Sequence, residues 1–160
     1  MFQIGDKIFY PMHGAGTVEA IEEKEVLGET QLYYILNMAL RKLKVMIPMR
    51  KTSHLLIRET VDIEIIEKLL ATFHHGEPNT TINPHKERQR INIVKMKSGD
   101  IHEGVQVIHD LTYLSKSKKL GLEDKTMLDN ARQMLMSELI LVKGLSEVQA
   151  AQILNCPPLH

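Results

Sequence analysis

The chain has 160 residues, of which 43% are hydrophobic and 25% are charged, as in an ordinary globular protein. Its 20 Lys and Arg residues balance its 20 Asp and Glu residues, which excludes a strongly cationic protein that coats nucleic acid through net charge alone. The single cysteine, Cys156, excludes an internal disulfide, and the apolar runs are far shorter than the roughly 20 residues of a membrane span. We therefore expect a cytoplasmic protein that does not contact a membrane.

The first part of the chain alternates short runs of strand-forming residues with turn signals. Strands are predicted at Lys7–Tyr10, Thr17–Ile21, Gln31–Met38 and Lys44–Pro48, with Leu55–Ile57 as a possible fifth strand. Leu27-Gly28-Glu29 predicts a turn, because glycine accepts a positive φ at little cost. Strands of this length and spacing indicate a small antiparallel barrel or sheet, which we expect to form an N-terminal domain over residues 1–58.

Helical periodicity begins at Asp62, is interrupted by a polar connector at His74–Pro84, and is predicted to end at about Leu154, before Pro157-Pro158. The first helix is predicted from Ile63, Ile66, Leu69 and Leu70, and the second runs from Asn83-Pro84 to about Lys97 with Ile91, Val94 and Ile93 inward. Asp100 caps a third helix, a long fourth helix ends at Gly144, and Ser146 with Gln149 opens a short fifth helix. Residues 59–160 therefore form a compact all-α domain of about five helices, and the chain is an α+β protein with two domains.

No arrangement of residues indicates an enzyme or a metal site. The eight histidines include no His-x-x-x-His pair, and Cys156 is not accompanied by a group of residues that could complete a metal site. Gly14-Ala15-Gly16 lacks the lysine and the following helix of a phosphate-binding loop. We expect no catalytic residues, no metal, no cofactor and no small-molecule substrate.

The stretch from Lys86 to Lys97 is the most informative part of the chain. It contains five basic residues against Glu87, a local charge of +4 within a neutral protein. On a helix, Lys86, Arg90 and Lys97 share one face, which is suited to contact with phosphates. Charge alone does not distinguish such a contact from a solvated helix surface. A second basic group, Lys116, Lys118 and Lys119, lies in a predicted break between helices.

Several motifs together resemble the CarD/CdnL family of transcription regulators and the RNA-polymerase-interacting module of the transcription-repair coupling factor. The matching residues are Phe2 to Gly16 with its Gly-Asp, Tyr-Pro and His-Gly pairs, Ser98-Gly99-Asp100, Asp110-Leu111, Ala131-Arg132-Gln133 and Ser137-Glu138-Leu139. The resemblance implies a Tudor-like β-barrel that docks on the lobe of the RNA polymerase β subunit. It also implies a helical domain that contacts promoter DNA at the upstream edge of the melted region and changes the lifetime of the open complex.

The resemblance assigns contact residues in both domains. The polymerase-binding residues that it implies are Lys24, Glu25, Val26, Lys44, Met46 and Ile47. The DNA-binding residues that it implies are His85, Lys86, Arg88 and Arg90. Three positions depart from the family pattern. Met46 stands where relatives can carry Arg, and His85 stands where many relatives carry a Trp that wedges the minor groove. Glu87 stands where relatives can carry a basic residue.

Two other functions remain open from the sequence. In the first, the protein binds polymerase but its helical domain binds another protein through Met127, Met134 and Met136 instead of DNA. Charge reversal at Lys86, Arg88 and Arg90 would separate this adaptor from a DNA-binding regulator. In the second, the protein is a histidine-based hydrolase, which requires histidines that converge in the fold.

Overall fold

The computed structural model describes residues 1–75 and 85–154, and its N-terminal part is one antiparallel sheet. The strands are β1 (Lys7–Tyr10), β2 (Gly14–Val26), β3 (Glu29–Met38), β4 (Lys44–Pro48) and β5 (Arg58–Glu59). Their order is β4-β3-β2-β1-β5, and no pairing among the described residues joins β4 to β5. The predicted β-domain is confirmed as a five-stranded sheet, but hydrogen bonds do not close it into a barrel.

Two strand predictions need correction. Strand β5 comprises Arg58–Glu59, whereas Leu55–Ile57 lies before it, and Ile57 is buried in the interior. Strand β2 begins at Gly14, three residues earlier than predicted, because the turn after β1 occupies only residues 11–13. The turn at Leu27 and Gly28 is confirmed, and both of these residues have positive φ.

One face of the sheet lines a small apolar interior, and we call it the inner face. Its buried members are Ile8, Val18, Tyr34, Leu36, Met38, Ile47 and Ile57. Along β3 and β4 these residues alternate with residues of the opposite face, which we call the outer face, because successive side chains of a strand point to opposite sides.

The alternation changes phase within β2. Val18 pairs with Leu36 and Ala20 pairs with Ile35, so that Glu19 and Ala20 together face one residue of β3. Such an extra residue is a β-bulge. Register and burial then place the following β2 residues on the outer face: Ala15 and Thr17 before the bulge, and Ala20, Glu22, Lys24 and Val26 after it.

The C-terminal part contains the five predicted helices. They are α1 (Ile63–Phe73), α2 (His85–Ser98), α3 (Ile101–Ser117), α4 (Leu122–Lys143) and α5 (Glu147–Leu154). Asp100 accepts hydrogen bonds from the backbone N–H groups of His102 and Glu103, and Gly144 ends α4 with φ 66°. None of the helices in the described ranges is long and apolar enough to cross a membrane. The predicted start at Asn83-Pro84 lies outside the described residues.

The inward face predicted for α2 is wrong. The structure buries Asn92 and Met96, which are 3% and 2% exposed, and leaves Ile93 38% and Val94 60% exposed. The reason is the ion pair that Arg88 forms with α4, because positions 88, 92 and 96 share one side of the helix. Of the residues whose spacing predicted α1, Ile66 and Leu69 are buried and Ile63 is exposed.

The sheet and the helices share an apolar core. Phe9 and Ala15, on the outer face of β1 and β2, belong to the same buried cluster as the α4 side chains. The Ser137 hydroxyl accepts a hydrogen bond of 2.8 Å from the Ala15 N–H, and a Cβ at Gly14 would lie 2.9 Å from that hydroxyl oxygen. The β1–β2 hairpin is therefore seated closely on α4. The boundary between residues 58 and 59 stays a prediction, and it falls within β5.

Candidate interaction surfaces

The outer face of β2, β3 and β4 carries four of the six residues predicted to bind a polymerase. Lys24 and Val26 follow Ala20 and Glu22 on the outer side of β2. Lys44 and Met46 lie on the outer side of β4, because their neighbours Val45 and Ile47 pack into the interior. The other two predicted residues lie elsewhere. Glu25 lies on the inner side of β2, at the exposed end of the hairpin, and Ile47 is 1% exposed in the core.

The two predicted lysines of this face already have acidic neighbours. Lys24 Nζ lies 3.0 Å from Glu22 Oε2, and Lys44 Nζ lies 3.0 Å from Glu19 Oε2. All four side chains are more than 40% exposed, so each pair contributes little to stability and exchanges readily with another acidic group. The outer face can therefore offer cations to an acidic partner without unfolding.

Strand β4 has an open backbone edge. The Met38 N–H donates to the Leu43 carbonyl oxygen, so Met38 and Leu43 form a hydrogen-bonded pair at the start of the β3–β4 ladder. Hydrogen-bonded and non-hydrogen-bonded pairs alternate in an antiparallel ladder, so Val45 and Ile47 bond to β3. The N–H and C=O groups of Lys44 and Met46 consequently point away from β3 at the edge of the sheet. This edge is a template for one further strand.

Helix α2 carries a stripe of five exposed residues that we call the α2 stripe. Its members are Lys86, Arg90, Ile93, Val94 and Lys97. Their spacing of four, three, one and three residues keeps them on one side of the helix. The predicted basic face is therefore exposed as expected, but two apolar side chains lie between its cations, and sequence reasoning placed those two in the core.

Arg88 and His85 lie beside this stripe and contact α4. The Arg88 guanidinium donates to Asp124 Oδ2 at 2.8 Å, and the Asp124 side chain is only 3% exposed. His85 Nδ1 lies 2.9 Å from Arg88 Nη2 and 3.7 Å from the same carboxylate. Two of the four residues predicted to bind DNA thus hold the start of α2 against the start of α4, which fixes the orientation of the α2 stripe.

The Arg90 guanidinium is bound to a neighbour on its own helix. Its Nη2 donates to Glu87 Oε1 at 2.6 Å. This hydrogen bond, together with the attraction between the two charges, lowers the pKa of the Glu87 carboxyl below its ordinary value of 4.5 and raises the pKa of Arg90. At neutral pH a phosphate must therefore compete with Glu87 for Arg90.

A second ion pair connects the sheet to the helices. Arg58 on β5 donates through Nη1 and Nη2 to both carboxylate oxygens of Glu138 on α4, at 2.8 and 2.9 Å. Its Nε donates to the Gly99 carbonyl at 2.7 Å, and its guanidinium lies 4.4 Å from the centre of the Phe9 ring. The Val61 N–H also donates to Glu138. We call this group the Arg58 clamp, and it holds β1, β5, α4 and the α2–α3 connection together.

In the described ranges 1–75 and 85–154, no group of three or more His, Cys, Asp or Glu side chains could hold a metal ion. His75, His102 and His109 line one surface cleft beside α1 and α3. His74 and His109 contact the backbone carbonyls of Ile153 and Phe73. Cys156 lies outside the described residues. Met134 and Met136, which the adaptor hypothesis requires on the surface, are 7% and 1% exposed and belong to the core.

Sequence reasoning missed two residues that organise the interaction surfaces. Asp124 and Glu138 are acidic side chains buried in α4, each bound to an arginine from another element. Glu138 belongs to the Ser137-Glu138-Leu139 motif, but the motif did not reveal its partner, and the pairing arginines lie 36 and 80 residues away in the chain.

Comparison with known proteins gives matches in both parts of the chain. The family of CarD C-terminal domains matches residues 68–155, and the family described as CarD-like/TRCF RID domain matches residues 2–61. The chain is also similar to the putative transcription factor YdeB of Bacillus subtilis, with 48% identity over 149 residues. That alignment covers 93% of this chain and 97% of the relative.

Proposed function

The chain belongs to the CarD family of bacterial transcription regulators, and on that premise we propose that it binds RNA polymerase with its sheet and promoter DNA with α2. The polymerase site is the lobe of the β subunit, and the DNA site is the backbone at the upstream edge of the melted region. The protein acts in the bacterial cytoplasm and alters the lifetime of the open promoter complex. It uses no cofactor and catalyses no reaction.

The open edge of β4 is the observation that carries the polymerase half of the proposal. A strand of the β subunit can add to this edge through the outward N–H and C=O groups of Lys44 and Met46. The outer face beside the edge then supplies side-chain contacts from Lys24, Val26 and Met46. Backbone hydrogen bonds give affinity in this arrangement, and the outer-face side chains give specificity.

The α2 stripe supports the DNA half of the proposal. Lys86, Arg90 and Lys97 present three cations on one side of a helix, and each phosphate that they neutralise makes binding more sensitive to salt. Contacts to the backbone position a protein on DNA but read little sequence. Because His85 is held by α4 and is smaller than Trp, we propose backbone contact without the wedging that a Trp provides.

The Arg58 clamp relates the two halves of the proposal. A protein that binds one promoter state more tightly than another shifts the population towards that state. Such a shift requires that polymerase and DNA be held at a defined distance. The clamp and the Ala15–Ser137 hydrogen bond supply that rigidity, because both join the sheet to α4.

The polymerase half is tested by calorimetric titration of the protein with the isolated β lobe. We expect saturable binding that Lys24→Glu weakens, because the substitution places a negative charge beside Glu22 on the outer face. Lys68→Glu on α1 is the matched control, since it makes the same charge change at an exposed site on another element. No binding of the wild-type protein would contradict the proposal.

The DNA half is tested by the lifetime of open complexes at several salt concentrations. Lys86→Glu and Lys97→Glu together should reduce the salt dependence of the open-complex lifetime by the equivalent of about two phosphate contacts, while Lys68→Glu should leave that salt dependence unchanged. Arg88 is not suited to this test, because its reversal would leave Asp124 buried without its cation. An unchanged salt dependence would instead favour the adaptor that binds another protein through the helical domain.

A further inference from the structure

The tip of the β2–β3 hairpin holds a leucine in a conformation that leucine disfavours. Val26 and Glu29 form the last pair of the ladder, so Leu27 and Gly28 make a two-residue turn with φ of 53° and 81°. This turn requires positive φ at both positions, and Asn-Gly is its preferred sequence. Gly28 meets the requirement, whereas a side chain with a Cβ is strained at Leu27.

No contact within the described protein compensates for that strain. The Leu27 residue is fully exposed, at 101% of its reference area. Both the backbone conformation and the solvation of position 27 therefore favour a polar residue such as Asn. Backbone outliers of this kind occur at functional sites, and the complete exposure of Leu27 at the end of the outer face points to a contact outside the fold.

We propose that Leu27 is an apolar anchor that inserts into a depression on the polymerase β subunit, and this inference rests on the proposed function above. The hairpin continues the outer face that carries Lys24 and Val26, and Val26 is itself 41% exposed. Glu23 and Glu25 are exposed on the same arm. Glu23 and Glu25 lie on the side of β2 opposite to Lys24. The complementary site is therefore an apolar depression with acidic groups facing Lys24 and cationic groups facing Glu23 and Glu25.

Replacement of Leu27 by Asn separates an anchor from a structural residue. Asn is better tolerated at positive φ, so the melting temperature of Leu27→Asn should not fall and should rise by about 2–4 °C. Loss of a buried leucine side chain from the interface should weaken binding to the β lobe by about tenfold. A residue with a structural role alone would not give stability and affinity changes of opposite sign.

The experiment compares four variants for melting temperature and for calorimetric binding to the isolated β lobe. Leu27→Met retains an apolar side chain and should retain binding. Leu56→Asn is the matched control, because Leu56 is also an exposed leucine at positive φ, 54% exposed with φ 59°, but lies in the connection to β5. It should leave binding unchanged. Lys24→Glu reports on the proposed interface independently of Leu27.

Each remaining outcome overturns a definite statement. If Lys24→Glu weakens binding and Leu27→Asn does not, the anchor is wrong while polymerase binding stands. If the wild-type protein does not bind the lobe, the proposed function itself fails. If Leu27→Asn changes the oligomeric state of the free protein in size-exclusion chromatography, the tip contacts a second copy of the chain, and the anchor is again wrong.

Discussion

Replacing Glu138 with Gln tests whether the Arg58 clamp stabilises the fold. The substitution keeps the shape of the side chain but replaces one of the two carboxylate oxygens, to which Arg58 Nη1 and Nη2 donate, with an NH₂ group that cannot accept a hydrogen bond. The Glu138 side chain is 1% exposed and the Arg58 side chain is 26% exposed, so water cannot fully replace the lost contacts.

The expected loss follows from this burial. Removing one partner of a buried ion pair costs about 3–5 kcal/mol. Arg58 is partly exposed, and Gln keeps one oxygen that can accept a hydrogen bond. We therefore expect Glu138→Gln to lie at the low end of this range, with a decrease of about 3 kcal/mol in the free energy of unfolding. For a chain of this length, that corresponds to a melting temperature lower by roughly 6–12 °C.

Urea denaturation of single and double variants measures the clamp directly. Arg58→Met with Glu138→Leu removes both charges, and the double variant should recover most of the stability that either single variant loses. Arg50→Met is the control, because the Arg50–Glu29 pair at 3.3 Å is more than half exposed on both sides and should contribute less than about 1 kcal/mol. A loss below about 1 kcal/mol for Glu138→Gln, or additive effects in the double variant, would refute the reasoning.

Four further predictions concern other contacts. Nuclear magnetic resonance titration should give Glu87 a pKa below 4.5, and this pKa should return towards 4.5 in Arg90→Gln. The Glu87–Arg90 pair stabilises the fold above pH 4.5, and this contribution is lost as the pH falls through the lowered pKa. Glu87→Gln should tighten DNA binding roughly two- to fivefold at low salt, as measured by fluorescence anisotropy, because it releases Arg90. Gly14→Ala should lower the melting temperature more than Ser137→Ala does, since it adds a Cβ 2.9 Å from the Ser137 oxygen at φ 101°. Asp100→Ala should cost about 1 kcal/mol in urea denaturation through loss of the α3 cap.

The sequence predicted the elements of the fold well, because local signals determine most of them. Asp100, Ser146 and Gly144 set helix ends through contacts within a few residues. Strand positions in β1, β3 and β4 followed from runs of β-branched and aromatic residues bounded by turns. The start of β2 was missed because its glycines resemble a loop, although Gly16 is paired in the sheet with Met38.

The faces of these elements were harder to predict, since long-range partners determine them. The apolar residues of α2 suggested that Val94 faces inward, but the buried Arg88–Asp124 pair turns Asn92 and Met96 to the core. Similarly, the polymerase-binding set joined Glu25 and Ile47 to neighbours that lie on the opposite face of the sheet. For Glu25 the face depends on the β2 bulge, which is set where Val18 and Ala20 pair with Leu36 and Ile35 of β3.

The bulge at Glu19 has a consequence for changes in the length of the chain. Val18 lies on the inner face and Ala20 on the outer face. Deleting the Glu19 codon would therefore leave a regular alternating strand in which Lys24 and Val26 stay on the outer face. Deleting a codon between residues 20 and 24 would instead exchange the two sides of the rest of the strand, so that Lys24 and Val26 would leave the outer face. Naturally occurring one-residue deletions in this hairpin should therefore be found at position 19, where the sheet loses a kink and the Glu19–Lys44 contact but keeps its surface.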